Sequence, residues 1–507
     1  MKPFVSSASL TSFTSLALLA LLSSCQHSRI NKPNVLFISL DDMNDWIEPL
    51  GGHPQALTPN LSRLAEEGMI FRHAYCASPS CNPSRTALLT GKAAYRTGMY
   101  SNYQVWREVL PDVQTMPQYF HEQGYWAAGA GKIFHNNMPD PQSWDDYFPS
   151  KTKHMPDYYR PKPGGTVNMP VFHNMYLAFD WSPIPLTDEQ TGDYQSVHWV
   201  TEQLKQPHTQ PFFLACGIYR PHLPWYVPQK YFDKFPLDSV QLPKVLDHDL
   251  DDLSERAHEI AHRSGNYHQH VIEAGLWKNA VQGYLASINF SDMLVGKLLD
   301  ALAESDFADN TIVVLWSDHG WQLGEKEHWR KFALWDNVIH SVLMFRVPKR
   351  VPGLPRGTIA GEPCDRIVSL LDIFPTLTEL CGLPPKSDLS GRSLVPLLKD
   401  PGRTWNYPAI STYHWGEFSI RTENWHYIKY IDDSEELYDI QRDPEEWYNL
   451  AGNPAYRNTL LVLKAFIPEH PAALVKTSYK VEPHHWPPFR SKEEYLKWKK
   501  TGVREWD

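Results

Sequence analysis

The stretch Cys81-Asn82-Pro83-Ser84-Arg85 concentrates the chemistry of this chain. It offers a sulfur nucleophile followed by a guanidinium, and it runs into residues 86–92, which read as the start of a helix. A nucleophile at a helix N-terminus sits among unpaired backbone N–H groups and the positive end of the dipole, where an anionic group is favoured. The competing reading is packing, since buried cysteines commonly serve as small apolar residues and Pro-Ser is ordinary turn chemistry. A second set is acidic: Asp41-Asp42 and Asp318-His319 each follow an apolar run. Three carboxylates and an imidazole gathered at one place need a divalent ion to offset their repulsion. Oxygen-dominated donors favour Ca2+ or Mg2+ over zinc.

These groups need elements that deliver them to one place. Residues 34–40 and 212–218 are nearly continuous apolar runs, as is 311–316, and such runs suit strands buried on both faces of a parallel sheet. Thr58-Pro59 opens a helix as N-cap and first helical residue, and Gly68 stops it. Residues 280–303 repeat apolar side chains at helical spacing. The alternation predicts an α/β fold with a large, mostly parallel central sheet flanked by helices. In such sheets ligands gather beyond the carboxyl ends of the strands, which is where Asp41-Asp42 and Asp318-His319 fall. A boundary is expected between Leu383-Pro384-Pro385 and Pro401-Gly402, dividing a catalytic part at 34–390 from a smaller antiparallel unit at 400–507.

Composition bounds the rest. With 48 basic against 58 acidic residues the formal charge is −10, which argues against nonspecific nucleic-acid binding and requires any polyanionic ligand to find a local basic pocket. The apolar run 16–22 ahead of Ser23-Ser24-Cys25 is too short to span a bilayer and has the plan of an export signal. Its end resembles a bacterial lipobox, so 1–25 is expected to be a lipoprotein signal with Cys25 as lipid site and 26–33 a tether. Membrane association is then through that N-terminal lipid alone, in the periplasm or at the cell surface. Cys76, Cys216, Cys364 and Cys381 allow three disulfide pairings or none. The oligomeric state is left open.

Further motifs recur in order along residues 34–450: Leu89-Thr90-Gly91, Gly131-Lys132-Ile133-Phe134-His135, Arg220-Pro221-His222-Leu223-Pro224, Ser317-Asp318-His319-Gly320-Trp321, His328-Trp329-Arg330-Lys331 and Leu437-Tyr438-Asp439. Together they resemble the type I sulfatases of the alkaline-phosphatase superfamily, and within them iduronate-2-sulfatase and its bacterial relatives. The resemblance implies that a maturation enzyme oxidises Cys81 to formylglycine. It implies that Asp41, Asp42, Asp318, His319 and residue 81 hold Ca2+, with Mg2+ the lesser choice. It assigns Arg85 to the hydrated aldehyde, Lys132 and Lys331 to the sulfate oxygens, His222 to protonation of the departing alcohol, and His135 to the proton whose removal restores the aldehyde. Two positions depart from the pattern: Asn82 stands where small residues are commoner, and Lys92 follows Leu-Thr-Gly where arginine is usual.

The expected substrate is a sulfated carbohydrate, cut by exo action on a polysaccharide or glycosaminoglycan-type chain. Trp106 and Arg107 lie in the stretch 102–107, which would line a sugar subsite, with Arg107 or Arg220 pairing a uronate carboxylate; His414 either shapes the pocket or packs. Two other readings stand beside it. One is a formylglycine-dependent phosphonate or phosphodiester hydrolase, since phosphate and sulfate esters share tetrahedral geometry. The other is a non-catalytic glycan-binding lipoprotein in which Cys81 remains a thiol.

Overall fold

The computed structural model describes residues 1, 3–4, 32–135, 138–169, 179–479 and 489–502. Cys25 and the tether through residue 31 lie outside them. A nine-stranded sheet organises the chain. Its centre is parallel: Asn34–Asp41 lies between Thr311–Ser317 and Phe212–Pro221, followed outward by Trp126–Gly131 and Asp146–Phe148. On the other flank Leu343–Arg346 pairs antiparallel with both Thr311–Ser317 and Met69–Tyr75, so the sheet is mixed only at that side.

The continuous apolar runs have a simple cause. Successive side chains of a strand point to opposite faces, and here both faces are covered. Val35, Phe37, Phe213, Ala215, Ile312 and Val314 pack into one core. Leu36, Ile38, Leu214, Cys216, Val313 and Leu315 pack into the other. Each such side chain, fully buried, contributes about 1.5–3 kcal/mol. The second face is covered by the helices Trp277–Ala303, Gly192–Leu204 and Pro59–Glu67.

The helix expected after Thr58 is present as Pro59–Glu67, but Thr58 does not cap it with its side chain. Its Oγ1 accepts the Glu48 N–H at 2.8 Å instead, and the buried Asp292 carboxylate of the long helix takes the Asn60 and Leu61 amides at 3.0 and 2.8 Å. A capping carboxylate supplied across a helix pair is invisible to a local sequence signal.

Beyond the main sheet, Ala409–Thr412, Phe418–Arg421, Trp425–Lys429 and Glu435–Asp439 form a four-stranded antiparallel sheet. Helix Arg457–Lys464 covers one face of it through Leu460 and Leu463. Buried polar pairs join this unit to the main body. Arg256 forks onto Glu417 at 2.7 and 3.2 Å, Arg421 meets Asp336 at 3.0 Å, and the Trp335 indole donates to Glu436 at 2.9 Å. Cys76, Cys216, Cys364 and Cys381 are all buried free thiols, so none of the three pairings forms. Among the described residues no helix is long and apolar enough to cross a membrane.

Two strand ends approach unusually closely where Lys132 emerges. Gly131 has φ +74°, and a Cβ on Gly217 would run into the Lys132 peptide. Gly217→Ala is therefore expected to lower stability by about 1–3 kcal/mol in urea unfolding and to lower turnover as well, because the displaced peptide carries Lys132. Stability equal to that of the parent would show slack at this contact.

Candidate active site

Four neighbouring parallel strands each end in a polar residue at the same edge of the sheet. Asn34–Asp41 delivers Asp41 and Asp42, Thr311–Ser317 delivers Asp318 and His319, Trp126–Gly131 delivers Lys132, and Phe212–Pro221 delivers His222. Facing that edge is helix Cys81–Thr90, every residue of which is buried. It ends at Gly91 in the left-handed region, φ 68°. A buried helix start needs partners for its orphan amides. Asn102 Oδ1 takes the Asn82 N–H and the Ser80 hydroxyl, both at 2.8 Å, and Ser84 Oγ donates to Asp318 O at 2.6 Å.

Cys81 Sγ stands 2.9 Å from Lys331 Nζ, 3.7 Å from Lys132 Nζ, 3.4 Å from His319 Nε2 and 3.8 Å from Asp42 Oδ1. Burial pushes the Cys81 thiol up, but Lys132 and Lys331 outweigh it and hold it below its ordinary value. Behind the sulfur, Arg85 has no solvent exposure and spreads its donors over five acceptors. Nε meets Asp318 Oδ2 at 2.8 Å and one terminal nitrogen meets Asp41 Oδ1 at 3.1 Å. The other reaches Ser39 Oγ, Lys132 O and Ile133 O at 3.0, 2.6 and 3.0 Å. Lys132 pairs with Asp41, and Lys331 with Asp42 at 2.7 Å.

Asp42, Cys81, Asp318 and His319 each place a ligand atom within 4.8 Å of the others, and Asp41, Asp42 and His222 form an overlapping group. The donor set fits a divalent cation on several grounds. Burial first, then Asp41 and Cys81, push the Asp42 carboxyl up to about 7 despite Lys331 and His319. Its buried Oδ2 has no hydrogen-bond partner among the described residues. His319 Nδ1 lies 2.9 Å from Gly320 O, an acceptor only, so Nδ1 carries the hydrogen and Nε2 is left to ligate. Burial lowers His319, but Asp318 and Cys81 outweigh it and raise it to about 9. Asp41 behaves oppositely to Asp42: burial raises it, yet Lys132, His222, Arg85 and Lys331 together hold it well below the carboxylate range.

The sulfur opens onto a cavity of about 150 Å³. His135, His222 and Lys331 line it with Cys81, whereas Lys132 and Arg85 lie beside and behind the sulfur and do not reach its surface. His222 donates Nδ1–H to Leu223 O at 2.5 Å, which aims Nε2 at the site, 3.7 Å from Asp42 Oδ2. Burial, with Lys331, holds His222 well below its ordinary value, and burial with Lys132 does the same to His135.

The residues expected to touch sugar are placed otherwise. Trp106 is 1 % exposed, stacks on Phe134 at 5.2 Å and donates to Met138 O. Arg107 lies over the Trp106 ring and closes on Asp140 at 2.6 Å. His414 is buried beside Arg256 and Glu417. Arg220, 3 % exposed, donates to His222 O and Tyr226 O, both at 3.3 Å, and so braces the loop that carries His222. None of the four lines the cavity. Its aromatic and cationic walls come from Tyr103, Arg263, Tyr267, Trp329, Arg330, Phe332 and Tyr479. Tyr103 fell inside a stretch suspected of sugar contact, and Trp329 and Arg330 inside a recognised motif. Arg263, Tyr267, Phe332 and Tyr479 carried no sequence signal, because only folding brings their separate segments together.

A family model described as Sulfatase matches residues 33–383. The chain belongs to the sulfatase family. As a sulfatase it is a sulfuric ester hydrolase. A second model, N-sulphoglucosamine sulphohydrolase, C-terminal, matches residues 324–471, and neither match extends further. The sulfatase is 36% identical over 485 residues to a Sulfatase of Formosa agariphila, covering 90% of each chain. It is 31% identical over 397 residues to human Iduronate 2-sulfatase, covering 70% of each. Among solved structures, one in complex with its substrate D-glucosamine-2-N,6-O-disulfate shares the fold, with a TM-score of 0.67 and 21% identity over 86% of this chain and 96% of that one.

Arg85→Ala would strand Asp41 and Asp318 in a buried site. The expected loss is about 3–5 kcal/mol in denaturant unfolding, with Arg85→Lys falling between because it keeps the charge but not the fork. A near-neutral Arg85→Ala would mean that the carboxylates are neutralised by other groups.

Proposed function

We propose that this sulfatase hydrolyses sulfate esters of a carbohydrate, acting on the end of a sulfated polysaccharide or glycosaminoglycan-type chain, with residue 81 converted to formylglycine and Ca2+ as its metal. One observation carries the reading: the only buried sulfur opening onto the cavity lies between two lysine ammonium groups and beside an acidic, imidazole-bearing donor set, among the described residues. The narrow cavity supports exo action, because a chain end enters a pocket of this size more readily than a chain middle does. The names of the relatives support the substrate class: one acts on iduronate 2-sulfate as its name states, and one binds a disulfated glucosamine as its substrate.

Asp42, Asp318, His319 and residue 81, with Asp41 alongside, would hold the cation, which would supply Lewis-acid polarisation of the sulfate oxygens. The Cys81 thiol stands in for the group that formylglycine would supply, a hydrated aldehyde whose hydroxyl is the nucleophile. The chain's own residues do the rest. Lys132 and Lys331, already within 3.7 and 2.9 Å of Sγ, hold sulfate oxygens where negative charge is concentrated. Arg85 keeps Asp41 and Asp318 in register with the nucleophile. His222 presents Nε2 to the departing alcohol oxygen, its Nδ1–H being held by Leu223 O. It acts as the acid once Nε2 has taken the ring's second proton; burial and Lys331 oppose that, and an anionic sulfate ester favours it by offsetting the Lys331 charge. His135, buried at the same cavity, takes the proton from the residue 81 hydroxyl. The lipoprotein signal and export to the periplasm or surface belong to the same reading and rest on the apolar run 16–22 ahead of Ser23-Ser24-Cys25.

Peptide mass mapping across residue 81, after co-production with a formylglycine-generating enzyme, is expected to find the aldehyde; a thiol throughout would favour the non-catalytic glycan-binding reading. Initial rates on an aryl sulfate are expected to exceed those on the matching aryl phosphonate, and a strong preference for the phosphonate would sink the sulfatase assignment of this site's substrate. Chelation is expected to abolish turnover and lower the melting temperature, both restored better by Ca2+ than by Mg2+.

A further inference from the structure

The lysines that hold a sulfate oxygen are indifferent to the alcohol attached to it. Discrimination between sulfate esters must therefore come from the cavity walls, where differential contacts with the departing group are made. One of those walls comes from a segment beyond residue 471. Residues 472–479 run as a strap over the loop 95–108 and are clasped to it along their length. Ala472 N donates to Tyr95 O at 2.7 Å and its carbonyl accepts from the Tyr100 hydroxyl at 2.7 Å. Val475 N donates to Gly98 O at 3.3 Å, and Val475 O accepts from Gln104 Nε2 at 2.8 Å. Thr477 Oγ1 accepts the Val105 N–H at 3.0 Å, and Ser478 N donates to Glu108 at 2.7 Å. Gly98, at φ +75°, leaves no room for a Cβ beside Ala473 O, so the strap lies directly on the loop.

The clasp leads to the nucleophile. Asn82, which stands next to Cys81 where small residues are commoner, donates Nδ2–H to Gln104 O at 2.8 Å, and its own N–H goes to Asn102. Gln104 thus touches the nucleophile helix through its carbonyl and the strap through its side chain. At the far end of the strap Tyr479 meets Tyr103 with ring centroids 5.8 Å apart, and both line the cavity onto which Cys81 opens. The remaining aromatic wall holds Tyr267 and Phe332, with Arg263 over the Phe332 ring at 4.2 Å and Arg330 at 5.9 Å.

We propose that Tyr479, set by the 472–479 strap against Tyr103, is a specificity-determining residue that contacts the sugar ring bearing the sulfate ester. The proposal rests on the carbohydrate reading of this site and adds the residue that selects the alcohol. A tyrosine pair presents broad apolar faces with polar tips, which suits the C–H face of a pyranose and its hydroxyl rim. The guanidinium groups of Arg263 and Arg330 in the same cavity suit a sugar carrying a second anionic group, a carboxylate or another sulfate. Because the strap is pinned by backbone groups, Tyr479 is held in place at low entropic cost on binding.

The test uses the full chain carrying formylglycine. Values of kcat/KM are measured on 4-nitrophenyl sulfate and on whichever substrate is fastest in a panel of N-, 2-O- and 6-O-sulfated glucosamine and uronate oligosaccharides. Tyr479→Ala is expected to lower the ratio of sugar to aryl activity by roughly tenfold, mainly through KM, while Tyr479→Phe, which keeps the ring, restores most of it. The melting temperature of Tyr479→Ala should fall by no more than about 4 °C, since Tyr479 is half-buried and packs on the core at one edge. An equal fall on both substrates, or an unchanged ratio, overturns the proposal. A parent that cleaves the aryl sulfate but no sugar overturns the carbohydrate reading itself, a different result from either.

Discussion

Arg85 lies with no solvent exposure behind the sulfur of Cys81 and divides its guanidinium among Asp41, Asp318, Ser39 and two backbone carbonyls. Those acceptors belong to the ends of three different strands, so this one side chain ties the nucleophile helix to the sheet edge that carries the acidic groups. A lone buried carboxylate is costly, and a buried pair repels itself. Without the fork, Asp41 and Asp318 would each lose a buried cationic partner, held now at 3.1 and 2.8 Å. Arginine does this where lysine would not, because five donors in a fixed plane can serve several acceptors at once.

The charge balance at this edge is uneven by design of position. Asp41 is surrounded by Lys132, Arg85 and Lys331 and stays ionised, whereas Asp42 is pushed towards neutrality by burial with an orphaned oxygen beside it. One carboxylate is thereby committed to Lys132 and Arg85, and its neighbour is left with an unpartnered oxygen. Two adjacent residues reach opposite electrostatic states because four cationic groups surround Asp41, whereas Asp42, which takes a left-handed backbone conformation at φ 62°, also faces Asp41 and Cys81.

Much of this was legible in the chain. The apolar runs at 34–40, 212–218 and 311–316 declared a sheet buried on both faces, and the observed strands Asn34–Asp41, Phe212–Pro221 and Thr311–Ser317 contain them. The motifs around Cys81, Lys132, His222, Asp318 and Lys331 converge around one buried sulfur, and most of them sit at a strand end or a helix start, positions that local pattern marks well. Trp106, Arg107, Arg220 and His414 stand away from the cavity lining for a physical reason. Large amphipathic side chains near a site read the same in sequence whether they face a ligand or a neighbour, and here Phe134, Asp140 and Glu417 satisfy them. Thr58 misled in a smaller way, since its capping role passed to Asp292 from a distant helix.

Fold class and family are written in the chain itself, as are the residue types that meet around Cys81, because strand runs and short motifs are local patterns of spacing and polarity. Tertiary structure alone decided which carboxylate is neutralised by Arg85 and which by other means, which thiols stay unpaired, and which side chains wall the cavity. Those outcomes depend on distances between segments far apart in the chain. Tyr103 and Tyr479 meet only because a strap of backbone hydrogen bonds folds one segment over the other.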